Sequence, residues 1–186
     1  MLYISKGVLS HQAGNTLSVS YCGAQYALTE DQVFVWEKGR CGYQGELSTK
    51  QLAALNEIRR FGIIEMGSDT KQASMFRLLV NCVICSVKHK SIFPLWHNTE
   101  QLLLRWIRGA GLRLTIAELV FLIENKINPS KNLLGESNRQ AITEIIYNAE
   151  TIADGALDSL IEKSPACEIT VQAVLELLHK NTVYLI

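Results

Sequence analysis

Residues 47–64 read Leu47-Ser-Thr-Lys-Gln-Leu-Ala-Ala-Leu-Asn-Glu-Ile-Arg-Arg-Phe-Gly-Ile-Ile64. Ser48 with Gln51 is a capping-box pattern, in which the hydroxyl accepts from the third backbone N–H and the amide side chain returns the bond. Leu52, Leu55 and Ile58 follow at a spacing of three, one face of a helix. Gly62 can end that helix in the left-handed conformation, and Ile63-Ile64 starts a strand. Upstream, Leu17, Val19 and Tyr21 alternate with Ser18, Ser20 and Cys22, the period of a half-buried strand. Gly14-Asn15 and Gly23-Ala24 supply turns, so residues 7–28 are expected to form a hairpin ending at Tyr26-Ala27-Leu28. Thr29 caps a helix that presents Val33, Phe34 and Trp36 and stops at Gly39, with Glu30 and Asp31 favourable in its first turn.

A similar order is expected further on. The small, polar stretch 67–74 marks a boundary between domains 1–70 and 71–186. The second domain is expected to open with strands over Phe76–Val87 and Ser91–Leu95, joined by the basic turn Lys88-His89-Lys90. Asn98 then caps a helix lined by Leu102, Leu103, Trp106 and Ile107 and closed by Gly109. A short strand over Leu112–Leu114 precedes a second capping box, Thr115 with Glu118, and the stripe Ile116, Leu119, Val120, Ile123 and Ile127. After a loop containing Pro129 and Gly135, Ser137 caps a stretch striped by Ile142, Ile145, Ile146, Ala149 and Ile152. Ser164-Pro165 opens a last helix, and Thr182–Ile186 reads as a strand. The expected class is α+β, helix-rich with short β-hairpins, in two modules.

The chain has 186 residues, 48% apolar and 19% charged, well inside the globular class. Its most apolar stretches, 78–85 and 114–123, are about half the roughly 20 residues that a bilayer-spanning helix needs. Five cysteines, an odd number, and no secretory signal suggest free thiols and a cytoplasmic location. Net charge is zero but uneven. Residues 71–113 carry seven Lys/Arg against Glu100 alone, whereas residues 114–186 carry ten acids against five bases. That balance suits a local basic patch rather than a globally basic nucleic-acid binder.

The stretch Gly23-Ala-Gln-Tyr-Ala-Leu-Thr-Glu-Asp-Gln-Val-Phe-Val-Trp-Glu-Lys-Gly39, with the Ser48 helix, resembles the small winged-helix domains that recognise leader peptides in ribosomal-peptide modification, such as the pyrroloquinoline-quinone peptide chaperones. The features shared with that family are Tyr26, Leu28, Trp36, Gly62, Ile63 and Ile64, within residues 7–66. The resemblance implies a peptide that adds to a sheet edge beside a helix. Residues 98–148 look more like the winged helix-turn-helix of transcription regulators, with 116–125 as second helix and 138–148 as recognition helix. Their connection, 127–136, is longer than the tight turn of that motif. Together these resemblances imply tandem winged-helix modules.

The basic residues Arg77, Lys88, Lys90, Arg105, Arg108, Arg113 and Arg139 are the candidate nucleic-acid contacts. Arg105 and Arg108 share a helix face, and Lys88 and Lys90 sit at a hairpin tip. Such a set gives salt-dependent, sequence-independent affinity for phosphate. Asn138, Arg139, Gln140, Thr143 and Asn148 are residue types that read base edges, although Glu136, Glu144 and Glu150 lie among them. Cys82-Val-Ile-Cys85, with His89 and His97 nearby, has spacing that suits zinc, but on a strand the two thiols point to opposite faces. Free cysteines are therefore expected there, and no metal. Trp36, Trp96 and Trp106 are expected in the core, Trp96 being the one stacking candidate. No phosphate-binding loop, zinc-protease helix or nucleophile elbow is present, so no catalysis and no cofactor are expected. The leading expectation is a DNA-binding or transcription-regulatory module. The alternative is an adaptor that holds a polypeptide on a sheet edge within residues 16–28. No membrane partner is expected.

Overall fold

Leu2–Ser5 forms strand β1, and all four of its side chains are buried. It is the centre of a three-stranded antiparallel sheet, and with both of its faces covered it carries no alternation. The computed structural model describes residues 1–11, 17–67, 74–87, 98–110, 113–147 and 156–186. Two compact units divide the chain: Met1–Cys82 with Tyr184–Ile186, and Val83–Val183.

In the first unit β1 is followed by β2 (Val8–His11), β3 (Leu17–Tyr21), β4 (Ala24–Leu28), α1 (Glu30–Lys38), β5 (Tyr43–Gln44), α2 (Thr49–Arg59), β6 (Ile64–Gly67) and α3 (Ser74–Val80). One sheet has the order β5-β1-β6, with Tyr3 opposite Tyr43 and Met66. The other is the meander β2-β3-β4, with Val19 opposite Leu9 and Tyr26. Both helices start at complete capping boxes, Thr29 with Gln32 and Ser48 with Gln51. Their inner faces, Val33, Val35 and Trp36 against Ala54, Leu55 and Ile58, join Tyr3, Val19, Ile63 and Ile64 in one core. At the end of α1 the Val35 and Trp36 carbonyls share the Gly39 N–H, at 3.2 and 3.1 Å. Strand β1 adds a second donor to each: the Tyr3 hydroxyl donates to the Val35 carbonyl at 2.9 Å, and the Ser5 hydroxyl donates to the Trp36 carbonyl at 2.7 Å. The Trp36 indole N–H donates in turn to the Lys6 carbonyl at 3.0 Å.

The second unit runs β7 (Val83–Ser86), α4 (Asn98–Gly109), β8 (Leu114–Thr115), α5 (Ile116–Glu124), a 3-10 turn (Glu136–Asn138), α6 (Arg139–Ile146), α7 (Ala156–Ile161) and α8 (Pro165–His179), and Val183 opens β9 (Val183–Leu185). Its sheet has the order β8-β7-β9. Helix α8 packs on α4 and α5. Thr115 with Glu118 forms a third capping box, and Ser164 caps α8 ahead of Pro165.

The structure is thus mixed helix and strand, helix-rich with small sheets. One sheet of the first unit is centred on β1 and that of the second on β7, in each case the first strand of the unit. That strand pairs on one side with a two-residue strand, β5 or β8, lying between a helix that ends Trp-x-x-Gly and a capped helix. In the first unit only α2 stands between β5 and β6, whereas four helices stand between β8 and β9.

Three expectations are corrected. Residues 76–80 are not strand: Ser74–Val80 is helix α3, and only Val83–Ser86 is extended. Phe76, Leu78 and Leu79 are all buried, and with only Arg77 and Asn81 interrupting residues 76–85 the short apolar segments on either side fit strand and helix alike. Because α3 contacts β1 and β6, the division falls at Cys82/Val83 rather than within 67–74. Ser137 does not cap α6; Asn138 stands at its start and makes no capping bond. The expected strand over 91–95 and the turn at Gly14-Asn15 lie outside the described residues.

Candidate functional site

The hairpin β3–β4 is closed by two residues, Cys22 and Gly23, with φ of 48° and 85°. Positive φ at both positions is the turn whose twist matches paired strands. It fixes the register from Tyr21–Ala24 through Leu17–Leu28 without a bulge. Tyr21–Ala24 closes the loop as a hydrogen-bonded pair, and alternation makes Ser18–Ala27 a non-hydrogen-bonded one. The Ala27 N–H and carbonyl therefore point away from β3.

Strand β4 is the last of its sheet. Ala24, Gln25 and Ala27 are exposed, and Tyr26 is half-buried. The Tyr26 ring stacks on Phe61 with centroids 5.0 Å apart and planes 14° apart. Phe61 remains 37% exposed, so the two rings form an open apolar shelf beside the edge. Phe61 is held there because α2 ends at Arg59 and Gly62 turns the chain with φ of 74°. Arg59 and Arg60, immediately before Phe61, are exposed and form no ion pair among the described residues. The other described cations of this unit are largely engaged. Lys6 pairs with Glu65 at 3.1 Å and Lys50 with Asp31 at 2.8 Å. Lys38 lies over the Phe34 and Tyr43 rings, and Arg40 over Trp36. Burial works against the charge of Lys6, but the hydrogen bond and charge of Glu65, with Tyr21 and Cys82, outweigh it and raise its pKa.

The expected nucleic-acid contacts are placed as follows. Arg77 is exposed on α3 in the first unit; Arg105, Arg108, Arg113 and Arg139 belong to the second. Arg105 donates to the Pro129 carbonyl at 2.9 Å. Arg108 is half-buried, with one guanidinium nitrogen enclosed and unbonded. Arg113 is exposed, and Arg139 pairs with Glu136 at 3.3 Å. Lys88 and Lys90 lie outside the described residues. On α6 the Gln140 amide donates to Glu144 and the Thr143 hydroxyl to the Arg139 carbonyl, while the Asn138 amide donates to the Lys131 and Leu134 carbonyls. Asn148 and Glu150 lie outside the described residues.

Trp36 and Trp106 are core residues, whereas Trp96 lies outside the described residues, as do His89 and His97. Cys82 sits in the turn after α3, not on a strand, and its thiol donates to the Leu78 carbonyl at 3.4 Å. Burial, partly offset by Lys6, pushes this thiol up to about 12. Cys85 is on β7 and half-buried, and all five cysteines are unpaired by disulfides. Among the described residues no three His, Cys, Asp or Glu side chains converge to hold a metal ion. Among them, too, no helix is long and apolar enough to cross a membrane. In the second unit a cleft of about 720 Å³ opens along α8, lined by Glu100, Ile169, Gln172 and Glu176. Glu100, nearly fully buried there, accepts from Lys180 at 2.6 Å.

Tyr26 lies within the edge that the adaptor expectation placed in residues 16–28, whereas Phe61, Arg59 and Arg60 are absent from the site residues expected from sequence. The two-residue loop Cys22-Gly23 fixes β4's register and so which of its backbone groups face outward; no local signal reaches Phe61. No family model, no curated protein and no solved structure matches the chain. The class of protein rests on this geometry alone: a mixed helix-and-strand chain of two units with an open sheet edge in the first.

Proposed function

We propose that this protein is a winged-helix-type binding module that docks an extended polypeptide along β4. The observation that carries this reading is the edge itself. Ala24-Gln-Tyr-Ala-Leu28 is regular, uncharged, free of proline and unbulged. Edge strands of stable proteins are blunted by one of those devices, because an open row of N–H and carbonyl groups recruits other strands. An edge left undefended is suited to strand addition, in which backbone bonds give affinity and side-chain shelves give selectivity. The helix, short strand, capped helix order of each unit supports the winged-helix reading, and five cysteines outside any disulfide support a cytoplasmic location. A transcription-regulatory role through duplex DNA is supported less. Arg105 and Arg139 already bond within the chain, and carboxylates line α6.

The test is selection of a displayed random-peptide library against the full chain. Extended peptides are expected that bind the wild type and are lost in Ala27→Pro, which removes an outward N–H while leaving the β3–β4 ladder. Circular dichroism checks that the variant folds. Peptides that bind Ala27→Pro equally well overturn the reading. So does retention of random duplex DNA at moderate salt that is lost in Arg105→Glu/Arg108→Glu.

A further inference from the structure

We infer that the polypeptide held on β4 is acidic beside its apolar anchor. This rests on the strand-addition reading above and adds the partner's chemistry. A strand added to β4 places alternate side chains on the side of Tyr26. There it meets the Tyr26–Phe61 shelf, stacked at 5.0 Å and still partly open. Arg60 is the residue before Phe61, and consecutive Cα atoms are about 3.8 Å apart, well within the reach of an arginine side chain. Arg59 closes the last turn of α2 next to it. Both are exposed, and neither forms an ion pair among the described residues, whereas Lys6 and Lys50 are paired and Lys38 and Arg40 lie over rings.

Two further facts set the sign. The nearest acid in sequence, Glu57, accepts from the Gln32 amide at 2.7 Å on α1. Glu65 is occupied by Lys6 and the Asn81 amide. Strand β4 itself contributes no charge. Arg59 and Arg60 thus outnumber Glu57 beside the shelf, and that positive balance favours Asp or Glu one or two positions from an apolar or aromatic residue and disfavours Lys and Arg. Arginine adds a two-pronged donor that fits a carboxylate.

The probe is a fluorescein-labelled synthetic peptide repeating Phe-Ser-Glu-Ser, which puts Phe and Glu on one face of a strand. Counterparts carry Gln or Lys in place of Glu. Anisotropy titration against the full chain is expected to rank Glu over Gln over Lys. Two exposed ion pairs amount to about a fivefold preference of Glu over Gln. That preference shrinks toward unity at about 1 M salt, where screening acts over about 3 Å. Arg59→Glu/Arg60→Glu, checked for folding by circular dichroism, is expected to invert the order, and Ala27→Pro to remove binding of all three peptides. Equal affinities on the wild type sink the acidic preference and leave strand addition standing. An order unchanged in the double variant also sinks it, because another surface then reads the charge. Failure of all three peptides to bind overturns strand addition and the preference with it.

Discussion

Gly39 sets a quantitative test of how tightly β1 is seated on α1. A Cβ at this position would lie 2.3 Å from the Ser5 hydroxyl oxygen and 2.4 Å from Cε2 of Tyr3. Gly39 has φ of −79°, so alanine meets no backbone strain there. Reduced freedom of the unfolded chain even favours the substitution, by about 0.4–1 kcal/mol. Against that stand two costs. Tyr3 is fully buried, so its ring cannot swing into solvent, and overpacking of this kind costs about 1–3 kcal/mol. Displacing Tyr3 and Ser5 also strains their bonds to the Val35 and Trp36 carbonyls, each worth about 1 kcal/mol. Gly39→Ala is thus expected to destabilise by about 2–4 kcal/mol. At a denaturant slope of about 1–3 kcal/mol per M, its urea midpoint falls by roughly 1 M or more. Gly109 ends the other Trp-x-x-Gly segment and is the internal control. The three atoms nearest its added Cβ, from 2.9 Å, all belong to the side chain of Leu134, which is half-buried and can rotate. Gly109→Ala is expected to stay within about 1 kcal/mol of wild type. Urea unfolding followed by circular dichroism measures both. In a Tyr3→Val background the Gly39→Ala step is expected to cost less, since the blocking ring is gone. A Gly39→Ala protein as stable as wild type would refute the close seating of β1, and with it the assignment of Tyr3 and Ser5 as caps of α1.

Two further outcomes follow from buried groups. Cys82 is expected to resist alkylation in the folded protein while exposed Cys22 reacts readily, as mass spectrometry of iodoacetamide-treated protein can show. Its folded thiol titrates near 12 against an ordinary 9.0, so both states are neutral below that lower value. Above it the unfolded thiol ionises first, and stability falls with rising pH by up to about 1.4 kcal/mol per pH unit until the folded value is reached. Urea midpoints across that range are expected to fall less steeply in Cys82→Ala than in wild type. Lys180→Met leaves Glu100 buried and unpaired. The expected loss is about 1–3 kcal/mol, below the figure for a fully enclosed pair because Lys180 is 33% exposed. Glu100→Gln/Lys180→Met is expected to recover part of it, and equal stability of Lys180→Met and wild type would contradict the pairing.

Much of the local structure is legible in the chain because it is written by neighbours. Thr29, Ser48 and Thr115 cap helices through residues three positions on, and the alternation of Leu17, Val19 and Tyr21 marks β3 as a strand, although Ser18 on its other face is as fully buried as Val19. Cys22-Gly23 likewise decides the register of β4 within a handful of residues. Sequence alone therefore determined a mixed, helix-rich chain with short strands and the segment that forms its open edge. What only tertiary structure decided involves residues far apart. Strand β1 has no period to read, since both its faces are covered, and only Tyr43 and Met66 opposite Tyr3 define it as the sheet's centre. Residues 76–80 coil rather than extend because contact with β1 and β6 buries one side of a seven-residue helix, a choice the apolar residues left open. The basic residues, close in composition, were divided between two units and spent in part on carbonyls and carboxylates. Phe61 meets Tyr26 across 35 positions of chain, and that distance is the reason the shelf beside the edge belongs to the fold and not to any motif.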